Sequence, residues 1–299
     1  MRPVSPSGSV ASRMNKRIQP TVPALIIGGL LMWGYFPTVR DLVMKWATEP
    51  QYSHGFLVPL FSLYLLYRSR ERMPTTTAPM PIVGYAILAA ALACRAGGAI
   101  LFFLPLDALS LVLCITGIVF LFGGLPVVRW CWPALVFLVF MVPLGYQIER
   151  MMGAELQKIA TISTTFLLQC LGQPAVSEGN QILIGEVRLG VVEACSGLRM
   201  LMTFAALSVA AVFLLERHWI VKGLILVSAV PIALSTNILR ITATGLANIW
   251  LEHYAGKADV LQFMHDFNGY LMPVVGLTFL VTELWVLRHL LIEPEPAMA

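Results

Sequence analysis

The chain has 299 residues, 58% hydrophobic and only 12% charged, with a net charge of +4 and a mean hydropathy of +0.79. Soluble domains carry roughly 25% charged residues, so this composition excludes an ordinary soluble fold and indicates an integral membrane protein. Lys and Arg cluster in short loops, a pattern that reports membrane orientation and excludes a nucleic-acid-binding role.

Residues 1–20 are rich in Ser, Pro and basic side chains and read as a disordered cytoplasmic tail. Arg13, Lys16 and Arg17 precede an apolar run at 22–36. No small-residue cleavage site follows it and many further spans do, so it reads as a retained first helix. After a polar connection, Tyr52-Ser53-His54-Gly55 opens a second span to about residue 67, closed by the basic cluster Arg68-Ser69-Arg70-Glu71-Arg72. Spans three to five fall at about 82–96, 100–122 and 127–144, with Gly123-Gly124-Leu125-Pro126 turning the chain between the last two.

Residues 145–170 differ. Ile148, Met152, Leu156, Ile159, Phe166 and Cys170 recur at helical spacing, while Gln147, Glu149, Arg150, Glu155, Gln157 and Lys158 are polar. This reads as an amphipathic helix lying at the membrane surface; a packed helix of a small extramembrane domain is the alternative. Residues 173–193 read as a β-hairpin, with Ile182 and Ile184 before Gly185-Glu186 and Val187, Leu189 and Val191 alternating after it.

A sixth span covers 198–215. The apolar stretch at 219–250 carries only Lys222 and Arg240 as charges. It is too long for one simple span, and Pro231 is expected to bend or interrupt it. The stretch 220–237 alone covers roughly 27 Å, which leaves Arg240 at the far interface. A polar stretch at 252–268 contains His265-Asp266, and an eighth span runs over about 270–287. The expected fold is all-α and polytopic, with about eight transmembrane helices, a small outward-facing β-hairpin and an amphipathic interfacial helix. It forms one domain, 21–291, whose segment 145–196 faces outward, followed by a cytoplasmic tail at 292–299.

The basic tail and the 68–72 cluster belong in the cytoplasm. Eight spans then also put Arg129, Arg217, Lys222 and Arg288 inside, together with His218 and His289. The opposite face holds His54, the amphipathic helix, the hairpin, Cys195, Arg240, His253 and His265. Cys195 precedes Ser196, an N-cap candidate, at the start of a helix whose free N–H groups and dipole favour thiolate over thiol. Arg199 adds positive charge about one turn on. A thiol nucleophile needs an imidazole to exchange its proton and a donor to stabilise an oxyanion. Arg240 supplies the donor, since it stays protonated. His265 is the candidate acid/base, with His54 and His253 as rivals. The alternatives are a buried structural thiol at Cys195 or its disulfide with Cys170, a snorkelling anchor at Arg240 and a polar loop residue at His265. No CxxC, HExxH or GxSxG occurs, so dithiol, zincin and serine-elbow chemistry have no support, and no cofactor or metal is expected.

At these residues the sequence resembles the exosortase/archaeosortase family. Glu193-Ala194-Cys195-Ser196-Gly197-Leu198-Arg199 resembles its cysteine motif, Asn237-Ile238-Leu239-Arg240 its arginine motif and His265-Asp266-Phe267-Asn268-Gly269 its third motif, with the His of a bacterial exosortase. Tyr52-Ser53-His54-Gly55-Phe56-Leu57-Val58-Pro59 is similar to the family's early segment. The resemblance implies a thiol protease or transpeptidase of the bacterial inner membrane, multi-pass, with its active site on the periplasmic side. Cys195 would be the nucleophile, Arg240 the oxyanion or substrate-positioning residue and His265 the acid/base. Implied partners are the lipid bilayer and exported proteins with a C-terminal sorting signal: a Pro-Glu-Pro-like motif, one helix, then basic residues. The family often accompanies exopolysaccharide production. This chain's own Pro294-Glu295-Pro296 follows its last span and reads as tail. The competing class is a non-enzymatic scaffold or transporter subunit of polysaccharide export, which should carry polar groups near mid-membrane in several spans.

Overall fold

A computed structural model describes residues 21–185, 187–191, 197–251 and 257–290, which are mostly helical with one small sheet. Ten α-helices follow in order: α1 (Thr21–Gly34), α2 (Phe36–Thr48), α3 (Leu57–Arg68), α4 (Pro81–Leu101), α5 (Leu104–Phe122), α6 (Gly124–Phe137), α7 (Tyr146–Cys170), α8 (Leu198–Leu214), α9 (Trp219–Trp250) and α10 (Lys257–Leu290). A 3-10 helix at Pro50–Phe56 leads into α3, and another at Leu138–Met141 extends α6.

Among the described residues, five helices are long and apolar enough to cross a membrane: Pro81–Leu101, Leu104–Phe122, Gly124–Met141, Trp219–Trp250 and Leu271–His289. The expected count of eight is not reached on these terms, because α1, α3 and α8 have 14, 12 and 17 residues. Two boundaries are corrected. The helix after Trp219 continues unbroken through Pro231 to Trp250, so Pro231 does not end it. The polar stretch expected before the last span is itself helical from Lys257 onward.

The expected hairpin is a three-stranded antiparallel meander, β1 (Ala175–Glu178), β2 (Gln181–Ile184) and β3 (Val187–Gly190). The pairing Ile184↔Val187 joins β2 to β3 where the alternation predicts. The extra strand pairs through Glu178↔Gln181, so Gly179-Asn180 forms a second turn. Alternation on β2 buries Ile182 and Ile184 against α7 and α9.

Helix α7 is inside-out by the standard of soluble helices. Ile148, Met151, Ile159, Ile162 and Phe166 are exposed, whereas Leu156, Gln157, Ala160, Thr161, Thr164 and Leu168 are buried. An apolar outer face suits lipid, and the buried hydroxyls of Thr161 and Thr165 donate to carbonyls one turn back. The helix both packs on α9 and the sheet and presents an apolar side outward, so it combines the two readings the sequence left open.

Three apolar clusters make up the core. One joins α2, α3, α5 and α6; a second joins α8, α9 and α10; a third joins α7, the sheet and α9. Helix α4 packs along α5 through small residues at every seventh position, Gly84, Ala91 and Gly98. A methyl added at Gly98 would lie 2.8 Å from the Asp107 amide nitrogen, so only glycine admits this approach.

Candidate active site

The bundle sorts its polar groups by end. At one end Arg72 pairs with Glu216 at 3.2 Å, and Trp130 Nε1 donates to the Ser69 carbonyl at 2.7 Å, tying together the ends of α3, α6 and α8. Arg217 and Arg288 line a cavity at this same end. His218 caps α9 there, its Nδ1 accepting from the Ile220 amide. His218 and His289 are thus remote from the opposite end, where α8 begins and α9 finishes.

At that opposite end, the chain on both sides of the 192–196 segment is held by named contacts. Cys195 itself lies outside the described residues. Before it, the Val191 carbonyl accepts from the Gln157 side chain of α7, and the Val191 amide donates to the Asn180 carbonyl at 2.9 Å. After it, Gly197 adopts a left-handed φ of 85° and opens α8. A Cβ at Gly197 would sit 3.2 Å from Asn237 Nδ2. The dihedral calls for glycine, and any side chain would also crowd Asn237. The contact seats the start of α8 against the middle of α9.

Arg240 is on α9 three residues after Asn237, on a similar face and about 4.5 Å further along the axis. It is only 3% exposed, and its Nε has no hydrogen-bond partner among the described residues. This burial sets aside the snorkelling-anchor alternative, which requires the side chain to run along an exposed surface. A buried guanidinium with an unused donor carries a desolvation cost that packing does not return. Further along α9, Gly245 meets Leu168, Ile184 and Leu189, so Arg240 lies between the Gly197 contact and the sheet.

His54 lies in the 3-10 helix, outside the five spans. Trp46 Nε1 donates to the Met141 carbonyl, and the Tyr52 hydroxyl donates to Glu149 of α7 while accepting from the Leu144 amide at 2.9 Å. Burial and the Glu149 contact raise the Tyr52 pKa and keep its proton in place. This segment packs against α8. His54 is 9% exposed, and neither ring nitrogen has a hydrogen-bond partner among the described residues. Burial pushes its pKa below the ordinary value, while the Phe140 and Gln51 carbonyls oppose this without aligning as hydrogen bonds. The imidazole is therefore neutral near pH 7.

Between these elements opens a cavity of about 480 Å³, lined by Gln51, Glu149, Arg150, Gln157, Asn180 and Arg199 among others. Leu198 and Arg199 at the start of α8 line it, as do Gln157 and Asn180, which bond Val191, whereas Arg240 and His54 do not. His265 is on α10, which runs antiparallel to α9 and is tied to it by Ser228 Oγ donating to Glu283 at 2.6 Å. Counting back eighteen residues from Glu283 puts the His265 backbone at the same end of the bundle as Arg240, roughly 9 Å beyond it along the axis. His253 lies outside the described residues. Cys170 is an exposed thiol with no disulfide partner among the described residues. Among the described residues no cluster of His, Cys, Asp and Glu could hold a metal.

Sequence reasoning missed Gln157 as a contact and gave Asn237 no role. Gln157, Thr161 and Thr164 recur at helical spacing on the side of α7 away from its apolar residues, and that stripe was the available signal.

A family model described as transmembrane exosortase matches residues 46–282 of the chain. No curated protein and no solved structure gives a significant match.

Proposed function

The chain belongs to the transmembrane exosortase family, and from that premise we propose that it is a thiol protease or transpeptidase acting on the C-terminal sorting signals of exported proteins. The reaction runs through Cys195, Arg240 and His265. The Cys195 thiol gives its proton to His265, and the thiolate attacks a peptide carbonyl carbon, forming a C–S bond and an oxyanion. The Arg240 guanidinium donates to that oxyanion. On collapse the C–N bond breaks, His265 gives its proton to the leaving amine, and a thioester remains. Water or an acceptor amine, deprotonated by the same imidazole, then displaces the thiolate.

The observation that carries this reading is the Gly197–Asn237 contact, one turn from a buried Arg240 with an unused donor. Cys195 precedes Gly197 by two residues, a reach of at most about 7 Å. His54 is a second reading for the proton-transfer role, favoured by its burial without partners. A non-enzymatic scaffold gives no reason for His54 and the Arg240 Nε both to be buried without partners among the described residues at one end of the bundle. The basic end would face the cytoplasm of a bacterial inner membrane and the site the periplasm.

The test is mass spectrometry of a candidate substrate's C-terminus in cells with wild-type protein, Cys195→Ala or Cys170→Ala. Cys195→Ala should accumulate uncleaved substrate at normal protein abundance, and Cys170→Ala should process normally. Cleavage that continues in Cys195→Ala would rule out the thiol mechanism.

A further inference from the structure

The end of the bundle away from the candidate site holds a larger cavity, about 690 Å³, between α3, α6 and α8. Its rim is basic: Arg68 in the last turn of α3, Arg72 just beyond it and Arg129 near the start of α6. Its floor is apolar, formed by Leu65, Leu66, Ala134 and Leu214, with Trp132 packed edge-on to Phe213 at 5.3 Å. The Trp130–Ser69 hydrogen bond fixes α6 to the end of α3 and holds the walls in place.

The rim cations are available. Arg72 and Glu216 form an ion pair in which each side chain is 79% exposed, and such pairs hold little energy and exchange readily. Neither Arg68 nor Arg129 has an ion-pair partner among the described residues. With Glu71 and Glu216 also on the rim, three Arg against two Glu leave it net positive. Guanidinium forks match phosphate oxygens. Arg129 lies in the first turns of the span Gly124–Met141, beside Trp130 and Trp132, tryptophans of the kind that mark a membrane interface.

A cationic rim above an apolar floor at the level of the headgroups complements one kind of molecule. Its phosphate must lie outward, its hydrocarbon must run inward, and it must carry no compensating cation that the arginines would repel. We infer that this cavity binds an anionic phospholipid of the surrounding bilayer, its phosphate on Arg68 and Arg129 and its upper acyl chains over Leu66 and Phe213. The inference rests on the membrane fold and is independent of the proposed protease chemistry.

Full-length protein in mild detergent is titrated with phosphatidylglycerol or phosphatidylcholine, and bound lipid is counted by native mass spectrometry. Phosphatidylglycerol should bind at a single saturable site, and phosphatidylcholine should not. Arg68→Gln and Arg129→Gln should each weaken it about five-fold, and the double variant on the order of thirty-fold. Arg70→Gln is the control, since Arg70 stacks on Tyr67 outside the cavity at 4.1 Å. Unchanged elution on gel filtration verifies that each variant is folded. An equal loss in Arg70→Gln would reduce the effect to the general charge of this end and overturn the site. Displacement of lipid by millimolar glycerol phosphate would instead identify a soluble phosphate as the occupant, which also overturns it.

Discussion

Arg95 on α4 and Arg240 on α9 are both guanidiniums carried within apolar helices, yet they are treated differently. Arg95 pairs with Asp107 at 3.3 Å, donates to Thr38 at 3.2 Å and to the Gly34 carbonyl, and stacks over the Tyr35 ring at 4.3 Å. Thr38 in turn donates to Asp107 at 2.6 Å. Its side chain is partly exposed and its polar atoms serve to join α1, α2, α4 and α5. Arg240 is buried, its Nε has no hydrogen-bond partner among the described residues, and Asn237, which touches Gly197, lies one turn away. A membrane protein tolerates a charged group in either setting, but only the first accounts for itself energetically. The arginine whose Nε lacks a partner among the described residues is the one for which function has to be asked.

That contrast is broken or sharpened first by the acid/base residue. His265→Ala should slow substrate processing by about 10²–10⁴-fold, because the leaving amine goes unprotonated. The rate is measured in membranes and normalised to protein abundance, with His54→Ala alongside. A dead His54→Ala beside an active His265→Ala would move the acid/base role to His54. Arg240→Lys comes next, with an expected loss of about 10²–10³-fold, since Lys keeps the charge and loses the planar fork. Retained activity in Arg240→Lys would make Arg240 a packing residue and erase its difference from Arg95.

Arg95→Met should show the opposite profile. It leaves Asp107 without its guanidinium partner, so stability should fall by about 1–3 kcal/mol. Processing per folded molecule should stay near wild type. Detergent-unfolding curves read the first quantity and the normalised rate reads the second. A variant as stable as wild type but inactive would place Arg95 on the functional side of the comparison.

The sequence reading resolved the two regions unequally. Spans four and five, at 100–122 and 127–144, correspond closely to α5 and to α6 with its 3-10 extension, because uninterrupted apolar runs bounded by glycine and proline have one solution in lipid. Helix α2 was hidden inside a polar connection: its buried stripe of Thr38, Leu42 and Trp46 is short and is interrupted by the charged Arg40, Asp41 and Lys45. The continuity of α9 through Pro231 was not legible either, since neighbouring helices can support the freed carbonyl only once they are in place. For the site, Arg240 was singled out by its charge in an apolar run. Asn237 and Gln157, whose partners Gly197 and Val191 lie 40 and 34 residues away, could be recognised only in three dimensions. The Arg95–Asp107 pair escaped for a related reason, as each residue alone reads as the edge of a span.

The smallest expected effect concerns His54, the buried imidazole without a hydrogen-bond partner among the described residues. Its folded-state pKa is depressed by burial, below the unfolded value of about 6.5. A proton therefore binds the unfolded chain more readily than the folded one. The stability contributed by the neutral ring is fully present above pH 6.5 and is lost as the pH falls from there toward the folded pKa. The slope from one group is at most about 1.4 kcal/mol per pH unit. Unfolding of the purified protein at pH 7.5, 6.5 and 5.5 should show this loss for wild type, and His54→Gln, which cannot titrate, should lose less over the same interval. The window stays above the range where exposed carboxylates protonate, so their contribution is small. Identical pH dependence in the two proteins would mean that the imidazole is solvated or partnered in the folded state. It would then give no more reason than Arg95 to be counted among the poised groups of the site.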